Sequence, residues 1–145
     1  MERVEIGGWV VSVDAERTRA TYASIAKGGW ENCGCTYCRN FGAVVLKSFP
    51  PKVLAFFAHA GIDPLKDAEV YEFGETSPGV RSYGGEYYFW GRIEQDAAGE
   101  LQAEPKFHVT FTLPSALVQP EFRADGAASF VFSADLPWVL EEHAT

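Results

Sequence analysis

The hydrophobic residues of this chain recur with one period near its middle and another further on. Tyr37, Phe41, Val44 and Val45 fall at i, i+4, i+7 and i+8, the stripe of a helix with one face on a core. This spacing predicts a helix over about 36–48, although Gly42 interrupts it and Ala43 to Phe49 also reads as a strand. A second helix is predicted over 51–60. Pro51 suits a first helical position, Val53, Phe56, Phe57 and Ala60 form an i, i+3, i+4, i+7 face, and Gly61 supplies the stop.

From Glu69 onward the period is two. Tyr71 and Phe73 alternate with Glu72, and Phe107, Val109 and Phe111 alternate with His108, Thr110 and Thr112, the second of these as in a strand with one buried face. Glu86 to Ile93 is apolar on both faces, as a central strand is, and Phe130 and Phe132 mark another strand ending before Pro137. Ser77-Pro78-Gly79, Tyr83-Gly84-Gly85, Asp96 to Gly99 and Ala124-Asp125-Gly126 read as the connecting turns. At the N-terminus, Val4 to Val13 reads as a strand broken at Gly7-Gly8 and Arg19 to Ala26 as its hairpin partner, with Asp14 to Arg17 as the turn. The expected architecture is one α+β domain over 1–145: a mostly antiparallel sheet of about five to seven strands with one or two helices on one face.

Composition narrows the function. In 145 residues, 47% hydrophobic content excludes a disordered chain, and the longest apolar run, Val53 to Ala58, is too short to cross a bilayer. The formal charge of −8 argues against nucleic-acid binding, which needs a basic stripe. That charge is unevenly placed: residues 1–50 are net +1 and residues 51–145 net −9, so the sheet-rich part is expected to attract a basic protein partner. No basic n-region with a following apolar stretch opens the chain, and a cytoplasmic location is expected.

The densest chemistry is Cys33-Gly34-Cys35-Thr36-Tyr37-Cys38, which holds all three cysteines. Such an odd, tight set is a poor disulfide framework. If residues 33–35 are extended and a helix begins near Thr36, the three sulfurs converge, a soft donor set suited to one zinc ion. A tetrahedral site then needs a fourth ligand. His108 is the first candidate and His59 the second; His143, near the C-terminal end, either reaches the ion or plays no part, and an aspartate, a water or a partner's side chain are the remaining candidates. Cys35 to Cys38 also resembles, over four residues, the C-x-x-C of thiol–disulfide oxidoreductases, which implies Cys35 as nucleophile and Cys38 as resolving thiol. Three inert thiols remain the plainest alternative.

The motifs of serine hydrolases, P-loop nucleotidases, zinc peptidases and calcium loops are absent from the sequence. Glu69, Glu72 and Glu75 read as solvated charges. Four Trp, six Tyr and eleven Phe mostly serve the core, but Arg81, Tyr83, Tyr87, Tyr88, Trp90 and Arg92 form the stretch richest in interface-type residues. The expectation is a small acidic binding protein with a zinc-stapled cysteine cluster, a binding role being favoured over catalysis; its alternative is a thiol redox enzyme using Cys35 and Cys38.

Overall fold

A computed structural model describes residues 1–97, 99–114, 117–123 and 125–144. Its sheet is organised around one long strand. The chain runs β1 (Glu2–Ile6), β2 (Trp9–Val13), α1 (Ala15–Ser24), α2 (Gly29–Cys33), α3 (Thr36–Ser48), α4 (Pro51–Ala60), β3 (Glu69–Ser77), β4 (Val80–Gln95), β5 (Gly99–Leu101), β6 (Phe107–Thr112) and β7 (Ala127–Pro137). All strand pairs are antiparallel, in the order β1-β2-β4-β7-β6-β5. β3 lies beside the first half of β4 and β2 beside its last residues, both on the edge away from β7. The fold is therefore α+β, with a seven-stranded antiparallel sheet.

The N-terminal hairpin differs from the expected one. Gly7 and Gly8, at φ 55° and 84°, form the turn itself, pairing Ile6 with Trp9, because two consecutive positive φ values match the twist of a two-residue hairpin. Residues 15–24, expected as turn and strand, are helical. Asp14 caps them, its carboxylate accepting from the Arg17 N–H at 3.1 Å, and only Thr18 and Tyr22, four residues apart, are buried, with Ala15 partly so. Two buried positions leave too faint a helical period to read.

α3 and α4 match their expected spans and bend by 95° between them. Pro50 and Pro51 enforce the corner, since the residue before a proline avoids helical backbone. Phe49, buried at that corner, touches the rings of Phe41, Phe57, Tyr87, Phe107 and Phe132 at centroid distances of 5.0–6.3 Å. On the opposite face of β4, Tyr88 and Trp90 pack against Phe122, so the central strand is buried on both sides. No single helix among the described residues is long and apolar enough to cross a membrane.

Tyr83-Gly84-Gly85 is strand interior, not a turn. A Cβ on Gly85 would lie 2.6 Å from the Glu69 carbonyl oxygen, and one on Gly84 2.8 Å from the Tyr71 ring, so glycine admits the close approach of β3. The turns expected at Asp96–Gly99 and Ala124–Gly126 each include a residue, 98 and 124, outside the described ones.

Truncating Phe49 removes the ring that ties both helices to the sheet. Phe49→Ala should lower the unfolding free energy by about 3–5 kcal/mol in urea titrations with an unchanged m-value. A loss under about 1 kcal/mol would place the core's centre elsewhere.

Candidate metal centre

The cysteine segment is held by glycines that no other residue replaces easily. A Cβ on Gly28 would meet the Leu65 carbonyl oxygen at 2.5 Å and one on Gly29 the Asp67 Oδ2 at 2.7 Å, so α2 lies directly against residues 65–68. There the Gly29 N–H donates to the Asp67 carbonyl (2.8 Å), the Trp30 N–H to Asp67 Oδ1 (3.3 Å) and the Trp30 indole N–H to the Leu65 carbonyl (2.9 Å). Burial pushes the Asp67 carboxyl up to about 6, and among the described residues its Oδ2 has no hydrogen-bond partner. Gly42, the residue that weakened the helical pattern, faces the Trp30 ring, where a Cβ would approach to 2.6 Å. The indole thus wedges α2 onto α3.

α2 ends at Cys33, and Gly34 reverses the chain in the left-handed region at φ 70°, its N–H donating to the Trp30 carbonyl at 3.0 Å. Cys35 then caps α3, its sulfur accepting from the Cys38 N–H at 3.5 Å. Convergence therefore comes from a helix end, a left-handed glycine and a helix start, where the sequence suggested an extended 33–35. The three Sγ atoms all lie within 4.8 Å of one another, compatible with binding one metal ion. Sulfurs at about 2.3 Å from a tetrahedral ion sit about 3.8 Å apart. Cys38 forms the buried wall; Cys33 and Cys35 are exposed.

The thiols are electrostatically unequal. The Cys33 thiol is held below its ordinary value by a hydrogen bond from the Cys35 backbone, aided by those from the Cys38 and Cys35 side chains. Burial pushes Cys38 up, reinforced by hydrogen bonds with the other two sulfurs. The exposed Cys33 is thus the readier thiolate, and a cation would offset the cost of ionising Cys38. Arg39 supplies a nearby positive charge, its Nε–H donating to the Gly34 carbonyl at 3.3 Å.

The other expected site residues lie elsewhere. His108 stands exposed on β6 with Nε2 3.8 Å from Glu100, and His59 on α4 pairs with Glu2. Among the described residues no His, Asp or Glu joins the three cysteines. Tyr83, Tyr87, Tyr88 and Trp90 are at most 4% exposed, so they build the core and offer no binding surface. Arg81 pairs with Glu72 and lies 5.4 and 5.5 Å from the Tyr37 and Trp138 rings, while Arg92, largely exposed, pairs with Glu94 at 2.6 Å. Glu72 is consequently inward-facing and not a solvated charge; Tyr71 and Phe73 take the outer face, 40% and 66% exposed, their rings 5.3 Å apart. The small Gly84 beneath them was the available signal.

In reduced, metal-free protein, alkylation should modify Cys33 well before Cys38, and the rate at Cys33 should rise at a pH below that of an unperturbed thiol, near 8.5. Peptide mapping after a brief iodoacetamide pulse measures the order; Cys38 reacting first would contradict the assigned environments. No protein-family model, curated protein or solved structure matches the chain, so its own residues carry the functional reading.

Proposed function

We propose that this protein is an acidic binding protein whose fold is stapled by one zinc ion on Cys33, Cys35 and Cys38. The observation that carries the reading is the mutual approach of the three sulfurs at the junction of α2 and α3. Thiolates favour zinc over hard cations, and an iron–sulfur cluster would ask for a fourth cysteine, which the sequence lacks. A structural role fits the location. α2 is a five-residue helix with no buried residue of its own, and the ion would join its last residue to the first turn of α3. Such a site stays loaded where thiols stay reduced, which favours the cytoplasm.

The binding role rests on charge and exposed apolar area. Residues 51–145 are net −9, and the exposed Tyr71–Phe73 pair on β3 lies near Glu69 and Glu86, whose charges raise the Tyr71 phenol after burial has done so. A basic protein partner meets carboxylates and two aromatic faces there, the chemistry that binds Lys and Arg.

A second reading, thiol–disulfide exchange, is favoured by the pairing of an exposed, acidified Cys33 with a buried Cys38. Cys33 would attack a disulfide substrate and Cys38 would release it, two thiols being oxidised as the substrate is reduced to two thiols. It moves the nucleophile from the expected Cys35 to Cys33.

Thermal unfolding with and without a zinc chelator separates the two. The staple predicts that chelation, or Cys33→Ser, lowers stability by at least about 3 kcal/mol, a Tm shift of ~10 °C. An unchanged Tm, together with reduction of a small-molecule disulfide, would favour exchange and overturn the staple.

A further inference from the structure

Three thiolates leave a tetrahedral ion one ligand short, and the exposed Cys33 and Cys35 leave the open position toward solvent. The C-terminal segment is held against the same first turns of α3. Asn40 of α3, fully buried, clamps it at two points: Nδ2 donates to the Pro137 carbonyl at 3.0 Å and Oδ1 accepts from the Val139 N–H at 2.8 Å. Between them Trp138 packs edge-on to Tyr37, with ring centroids 6.0 Å apart. Its indole N–H donates to the Glu142 carbonyl at 2.9 Å, closing residues 138–142 into a hook.

The hook is tied to the cysteine loop itself. The Glu142 carboxylate accepts two hydrogen bonds from Arg39, at 2.6 and 2.9 Å, and the same guanidinium donates through Nε to the carbonyl of Gly34, the residue between Cys33 and Cys35. One planar group therefore bridges the tail to the loop that carries Cys33 and Cys35. Tyr37, Arg39 and Asn40, which hold the hook, flank Cys38 on the same turns of α3. The next residue along the chain is His143, exposed in the wall of a cavity of about 370 Å³ with Glu75, Arg81 and Trp138. His59 and His108, by contrast, are engaged by Glu2 and Glu100 on other elements.

Resting on the zinc reading above, we infer that His143 is the fourth ligand and that the C-terminal hook closes over the metal. Neutral imidazole with three thiolates is a standard structural zinc set. The resulting site carries one net negative charge, and the Arg39 guanidinium stands beside it to offset that charge. The cavity that His143 lines holds no cysteine, so ligation requires the segment after Glu142 to swing toward the sulfurs, with the Arg39–Glu142 bridge to the cysteine loop as its pivot. Glu142 acts through Arg39 and is a positioning residue.

Cobalt(II), titrated anaerobically into the metal-free full chain, tests this by absorption. Wild type should develop thiolate-to-cobalt charge-transfer bands and the strong d–d bands of a four-coordinate ion. His143→Ala should keep the charge-transfer bands, shift and weaken the d–d bands, and bind cobalt about tenfold or more weakly; Glu142→Gln should weaken binding less and leave the d–d positions unchanged. His59→Ala and His108→Ala should titrate like wild type. Identical spectra and affinity for His143→Ala, or the loss appearing in His59→Ala or His108→Ala instead, would overturn the ligand assignment while leaving the zinc reading in place. Absence of charge-transfer bands in wild type would overturn both.

Discussion

Phe49 occupies the point from which the rest of the molecule is set out. Two prolines force the chain to turn after α3, and the ring at the turn inserts among aromatic side chains of both helices and of β4, β6 and β7. Stacking and edge-to-face contacts of this kind fix direction as well as burying area. Once Phe49 is seated, the axis of α3 relative to the sheet has little freedom, and with it the place of the first turn of α3, where Cys35 and Cys38 stand. The thiol cluster, with two sulfurs exposed and one buried, stands at the far end of the helix that Phe49 anchors.

Around that frame, small residues do the local positioning. The Gly28–Gly29 pair lets α2 lie against residues 65–68, Gly42 lets Trp30 lie on α3, and Gly34 turns the chain so that Cys33 comes back toward Cys35. The cost is a buried Asp67 with one unsatisfied oxygen, a carboxyl that burial drives toward its neutral form. The acidic excess belongs to residues 51–145, downstream of the cysteines, and two of its carboxylates, Asp67 and Glu142, return to the segment that carries them.

The elements that were legible in the sequence are those whose burial pattern is strong. α3, α4 and β6 each present a regular face of three or more buried apolar residues, and periodicity found them. α1 escaped because two buried positions four apart do not make a visible stripe, and Arg19 to Ala26 imitates a strand. β3 was found but its facing was not legible: the half-buried ion pair of Glu72 with Arg81 takes the inner side and leaves Tyr71 and Phe73 outside, and such pairing is invisible in a single strand. Likewise Gly84-Gly85 reads as a turn until the neighbouring strand that needs its bare backbone is known. The cysteines were legible because their spacing is local. Their surroundings were not, since the contact between Arg39 and Glu142 spans 103 positions and no short-range pattern encodes it.

A rigid aromatic core presents a helix start, glycines bring a third thiol to it, and the proposed metal ion would close the arrangement. Native mass spectrometry of freshly purified, untagged protein tests it most directly. The account predicts a chain carrying one zinc ion, with three thiols protected from alkylation until the metal is removed. A fully reduced chain that is isolated without metal and takes up no zinc when it is offered would contradict it.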